Sequence, residues 1–92
     1  MRTERHPALV VLARQIRTER KARGFSQEDF AATVGLDRSY YGGVERGERN
    51  ITVLKLMRIA AALKVEVGDL FPKAEVFEGL LDLGTDASTS ED

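Results

Sequence analysis

Apolar residues recur at steps of three and four along most of the chain, and no stretch sustains the alternation of a strand. Pro7 suits the first turn of a helix, where its missing N–H costs nothing. From there Leu9, Leu12, Ala13, Ile16 and Arg20 form one stripe, and Gly24 closes the helix. "SQED" then offers Ser26 as an N-cap with Asp29 three residues on, close to a capping box. Phe30, Ala31 and Val34 give the short helix that follows one buried face before Gly35 ends it. Asp37 caps a third helix through "RSYYGGVER", with Leu36, Tyr41 and Val44 inward. Thr52 opens a fourth, with Val53, Leu56, Ile59, Ala60 and Leu63 on one side. "VEVGDLFP" reads as a short fifth helix stopped before Pro72, and "AEVFEGLLDL" as an optional sixth segment. The closing "GTDASTSED" reads as a disordered end. The expectation is an all-α chain with a domain over residues 1–72 and an acidic extension over 73–92.

Composition narrows the class. Ninety-two residues support one domain with a small core, and 42% hydrophobic with 32% charged residues is an ordinary globular mixture. No apolar run reaches the roughly 18–20 residues a membrane span needs. Arg14 interrupts the apolar cluster near the N-terminus, so neither a signal peptide nor an anchor is expected. Zero cysteines remove disulfides and thiol chemistry, which suits a cytoplasmic protein. The single histidine, His6, precedes the first helix, and "YGGVERG" lacks the Lys-Ser/Thr ending of a phosphate loop. No enzyme framework, metal site or cofactor site is expected. The net charge of −1 conceals a division: residues 1–72 carry thirteen Lys+Arg against nine Asp+Glu, whereas 73–92 carry Lys73 against six acids. A basic body of this kind suits an anionic partner.

The segment 27–34, the turn Gly35-Leu36-Asp37 and the segment 38–46 have the form of a helix-turn-helix, whose second helix enters the major groove of double-stranded DNA. Other helical bundles share that form, so the residues decide. Arg38 at the start of the second helix can pair in bidentate fashion with guanine O6 and N7, for about 1–3 kcal/mol of discrimination. A solvated surface charge is the alternative. Ser39 can hydrogen-bond a base or a phosphate, and Tyr40 can lay its ring on a thymine methyl. Tyr41 shares a face with Val44 and is expected in the core, while Tyr40 is rotated about 100° from it. Ser26 and Gln27 open a helix whose N-terminal N–H groups suit a phosphate. Arg46, Arg49 and Asn50 place two guanidinium groups and free backbone N–H groups on the next loop, again suited to phosphates.

"IRTERKARGFSQEDFAATVGL", "VERGER" and "LMRIAAALKVEVGDLF", in that order, resemble the Cro and phage-repressor (XRE) class of helix-turn-helix regulators over roughly Ile16 to Phe71. Within that class "LDRSYYGGVERGERNIT" is similar to the restriction–modification controller proteins. The resemblance implies a compact five-helix domain of the phage-repressor type and a sequence-specific transcriptional regulator that binds a palindromic operator as a homodimer. It implies that Gln27 braces the recognition helix and touches the DNA backbone, and that Arg20 and Glu45 form a partly buried salt bridge between the first and third helices. Related regulators often read a base from the position of Gly43, so fewer direct base contacts are expected there. Two readings of the Gly42-Gly43 pair stand: missing side chains that let the helix approach the groove closely, or a helix frayed in the middle. The expected dimer surface comprises Val65, Val67, Leu70 and Phe71, extended by Phe77 with Val76, Leu80 and Leu81. The same fold also serves as the DNA-binding antitoxin of toxin–antitoxin pairs, so a second protein partner is the rival expectation.

Overall fold

The computed structural model describes residues 5–81, and the disordered end expected over 84–92 falls outside them. Five α-helices and one 3-10 turn follow one another: α1 Pro7–Ala22, α2 Gln27–Val34, α3 Arg38–Glu45, α4 Val53–Leu63, the 3-10 turn Val67–Leu70, and α5 Ala74–Leu81. No strand occurs among the described residues. Each boundary has a local cause. His6 accepts from the Ala8 N–H, Ser26 from that of Asp29, Asp37 from those of Ser39 and Tyr40, and Thr52 from that of Lys55, so four α-helices start on capping side chains. Gly35 closes α2 in the left-handed region at φ 73°. "VEVGDLFP" differs from expectation: only four residues wind, as a 3-10 turn, because Pro72 follows immediately and bars a further α-helical turn.

The core is a single cluster. Ile16 from α1, Phe30 from α2, Tyr41 from α3, Ile59 and Leu63 from α4, and Leu70 from the 3-10 turn have no exposed surface. Phe30 stands between two other aromatic rings, 5.0 Å from Phe25 and 5.5 Å from Tyr41 between centroids and steeply inclined to both, so α3 rests on an edge-on aromatic cluster. Arg23 donates to the Leu63 carbonyl at 2.6 Å and to Glu19, tying the ends of α1 and α4 together.

Two expected placements are corrected. Val53 is 71% exposed, since it starts α4 one turn before the helix reaches the core. Leu70 is wholly buried where the 3-10 turn packs on α1 and α4, so it closes the monomer core and offers nothing to a second subunit. α5 packs against α1 without burying any residue of its own.

Candidate nucleic-acid interface

α2 and α3 lie against each other, joined by the tight turn at Gly35, Leu36 and Asp37. A polar cleft of about 470 Å³ runs between them, lined by Gln27, Asp37, Arg38, Ser39, Gly42 and Arg46. It joins the opening of α2 to the solvent side of α3, so the sequence-derived candidates Gln27, Arg38, Ser39 and Arg46 come together. Arg38 is held in solvent by an ion pair with Glu28, 3.0 Å long between side chains 71% and 63% exposed. Such a pair is worth little in water and is readily exchanged for a stronger partner.

Tyr40 and Tyr41 separate as helical geometry requires. Tyr41 is buried, while Tyr40 is half-buried, its ring flanked by Lys55 Nζ at 4.6 Å and the Arg49 guanidinium at 5.3 Å. Sequence reasoning assigned no contact to Lys55. Its signal was available only in three dimensions, because α4 brings the first turn of one helix beside the first turn of another. The cations lie close enough to the ring for cation–π attraction and together make a positive, aromatic edge beside α3. Ser26 and Asn50 are exposed, and the Ser26 oxygen is committed to its cap.

The adjacent glycines have a third explanation, different from both sequence-derived readings. α3 is continuous through Gly42 and Gly43, so it is not frayed. Both positions are buried by the arginines that follow. A Cβ at Gly42 would lie 3.1 Å from Arg46 Nη1 and 3.5 Å from Gln27 Oε1, and one at Gly43 would lie 3.1 Å from Arg49 Cγ. Gly43 is therefore corrected as a base-reading position: it is covered by the stem of Arg49. The glycines allow the two guanidinium-bearing side chains to fold across α3.

A buried ion pair sets the angle of α3. Arg20 donates through Nε to Glu45 Oε2 at 2.6 Å and through Nη2 to Oε1 at 3.0 Å, in the fork geometry that favours arginine. Its third contact goes to the Phe25 carbonyl at 2.6 Å. Glu45 also accepts from the Tyr41 hydroxyl and, at 3.1 Å, from Gln27 Nε2. Burial pushes the Glu45 carboxyl up, but the hydrogen bonds from Arg20, Tyr41 and Gln27 outweigh it and hold the group below the usual carboxylate range. The Glu45 hydrogen bond raises the Arg20 pKa, while burial and the bond to Glu45 raise that of Tyr41. Arg20 thus joins α1 to α3 through Glu45, and Gln27 joins the opening of α2 to the same carboxylate. Gln27 lies at the edge of the cleft.

A short capped helix, a glycine turn and a second helix with an exposed polar first turn define the helix-turn-helix class. The chain belongs to the helix-turn-helix family HTH_3, of the XRE type, which matches residues 16–70. The control protein C.MunI of Mycoplasma sp is 44% identical over 50 residues, covering 54% of this chain and 68% of the relative. The restriction–modification controller protein C.AhdI of Aeromonas hydrophila is 48% identical in sequence and superposes with a TM-score of 0.66 over 68% of this chain and 96% of its own. C.Esp1396I bound to a 19 base pair DNA duplex superposes with a TM-score of 0.64 at 33% identity, over 83% of this chain and 93% of its own. These relatives are control or controller proteins, and one of them is seen on DNA. No helix among the described residues is long and apolar enough to cross a membrane.

Proposed function

We propose that this protein is a sequence-specific transcriptional regulator that binds a palindromic operator as a homodimer, with α3 in the major groove of each half-site. The observation that carries this reading is the cleft between α2 and α3. It gathers Arg38 and Ser39 at an exposed first turn while the other side of α3 is fixed by Tyr41, Val44 and the Arg20–Glu45 pair. Arg38 and Ser39 read base edges, with Tyr40 at their flank. Gln27, the opening N–H groups of α2 beyond Ser26, and the Arg46, Arg49 and Asn50 loop hold the phosphates on either side. A relative of the same fold in complex with a DNA duplex supports the assignment.

The dimer surface proposed from Val65, Val67, Phe71 and Phe77 gains a second part. Leu54 and Met57 are 74% and 50% exposed, and with Val53 they form an apolar stripe along α4 that sequence reasoning missed. Their spacing puts them on one helix face, which Ala61 continues. Two copies meeting there would cover the stripe, and a palindromic operator requires their α3 helices about one DNA turn apart.

Fluorescence anisotropy with DNA from upstream of the protein's own gene, against a scrambled duplex, tests the reading. Arg38→Ala is expected to lower the preference for the native fragment by about 5- to 150-fold, equivalent to about 1–3 kcal/mol, while weak salt-sensitive binding persists. Loss of nothing but overall affinity would remove Arg38 from base reading. Binding that appears only with a second protein would move the reading to a partner-controlled module.

Gly42→Ala supplies a check of a different kind. The new Cβ comes closest to the end of a flexible side chain, Arg46 Nη1, which can swing away, and its 3.5 Å to Gln27 Oε1 is an ordinary contact. Relief of glycine's helix penalty should then raise the thermal midpoint, with a gain of at most about 0.8–1.0 kcal/mol. DNA affinity should fall in the same protein because Arg46 is displaced. Gain of stability with loss of binding would mark the glycine as functional, and an unchanged affinity would make it incidental.

A further inference from the structure

A second cleft, of about 220 Å³, opens between α1 and the end of α3, lined by Arg5, Val10, Ala13, Arg14, Arg17, Glu45 and Arg46. Four arginines share it with one carboxylate, and that carboxylate is already engaged by Arg20, Tyr41 and Gln27. Arg5 donates through Nε and Nη2 to the Arg46 carbonyl, at 3.1 and 2.9 Å, which stitches the chain before α1 to the end of α3. Arg14 and Arg17 are exposed, three residues apart and so neighbours on the helix surface. Neither forms a salt bridge among the described residues. Arg46 lines this cleft and also the cleft between α2 and α3. The two therefore meet at one residue, and the basic surface runs on from the helix-turn-helix across α1. Arg46 pairs with Glu48 at 3.1 Å, whereas Arg14 and Arg17 meet no counter-charge among the described residues. Like charges gathered in this way are unfavourable, and a bound anion reverses the sign of that cost.

The geometry points to a phosphate track in which Arg14 and Arg17 of α1 hold the DNA backbone flanking the bases that α3 reads. It rests on the regulator reading above and extends the contact surface beyond the helix-turn-helix. A guanidinium fork matches a phosphodiester without regard to the base attached to it. The track therefore fixes position and adds affinity, leaving sequence choice to α3.

The double variant Arg14→Gln/Arg17→Gln, compared with wild type on the native and scrambled duplexes over a range of salt concentrations, tests this. Each phosphate that the protein no longer neutralises lowers the slope of log affinity against log salt by about 0.9, so a fall of about 1.8 is expected with the ratio between the duplexes unchanged. Lys64→Gln/Lys73→Gln removes the same charge from residues that do not line the cleft, and should leave the slope near that of wild type. An unchanged slope in the arginine variant, an equal fall in the lysine variant, or a lost preference between duplexes would each overturn the track while leaving the regulator reading standing. Wild-type protein that binds neither duplex at any salt concentration would overturn both. Circular dichroism of each variant confirms the helical fold before binding is measured.

Discussion

Glu45→Ala is expected to cost about 3–5 kcal/mol of folding stability, read as a lowered urea midpoint or a thermal midpoint reduced by more than ten degrees. The loss comes from what remains. Arg20 is buried, and without the carboxylate its guanidinium keeps only the Phe25 carbonyl, while Tyr41 and Gln27 lose their shared acceptor. A domain of this size holds roughly 5–15 kcal/mol in all, so the variant should be partly unfolded at physiological temperature. The ion pair itself need not contribute much net stability, because burying two charges offsets most of their attraction. Replacing both partners at once, as Arg20→Met/Glu45→Leu, should therefore recover much of the loss while freeing the angle between α1 and α3. DNA binding that stays poor in a refolded double variant would show that the pair is kept for orientation. Full binding would show that it is replaceable scaffolding.

The same pair predicts the acid limb. The Glu45 carboxyl is depressed in the folded protein, so its stabilisation is complete above the ordinary glutamate value of about 4.3 and is lost as pH falls through the lower folded value. Glu45→Gln removes that titration. Its stability should be lower than wild type at neutral pH and should fall less steeply through the same acid range. A wild-type acid limb that the substitution leaves unaltered would assign the acid transition to other carboxylates.

What could be read from the chain alone follows the range of the forces involved. Caps and helix ends act within three or four residues, so Ser26, Asp37, Thr52 and the left-handed Gly24 and Gly35 were legible from their immediate neighbours. Periodicity separated Tyr41 from Tyr40 for the same reason. The Arg20–Glu45 contact spans twenty-five positions, and only the resemblance to a family supplied it. Leu70 and Val53 show the limit of composition as a guide. Leu70 lies beside an exposed Phe71 yet is enclosed by α1 and α4, whereas Val53 has the right helical phase for the core but stands one turn outside it. The glycine pair was the least legible, because its cause lies in arginine stems that return across α3 from beyond its end.

Gly47→Ala is the second large effect expected, at about 2–5 kcal/mol of destabilisation. Gly47 sits at φ 75°, where a residue with a Cβ costs about 1–2 kcal/mol. The added atom would also lie 3.0 Å from both Cα and Cγ2 of Val10 and 3.3 Å from its nitrogen. Backbone at that distance cannot swing aside like a side-chain end, and forcing α1 away adds about 1–3 kcal/mol. Gly24→Ala isolates the two parts, since Gly24 has the similar φ of 79° but nothing within 4 Å of a Cβ. The excess loss at Gly47 over Gly24, measured by urea denaturation, is the cost of the close approach. Adding Val10→Ala should return some of that excess by removing Cγ2, but not all, because Cα remains. An equal loss at the two glycines would mean that α1 and the end of α3 separate freely. In that case the seating of Arg46 between the two clefts, held in part by Arg5 across the same junction, would not depend on their contact.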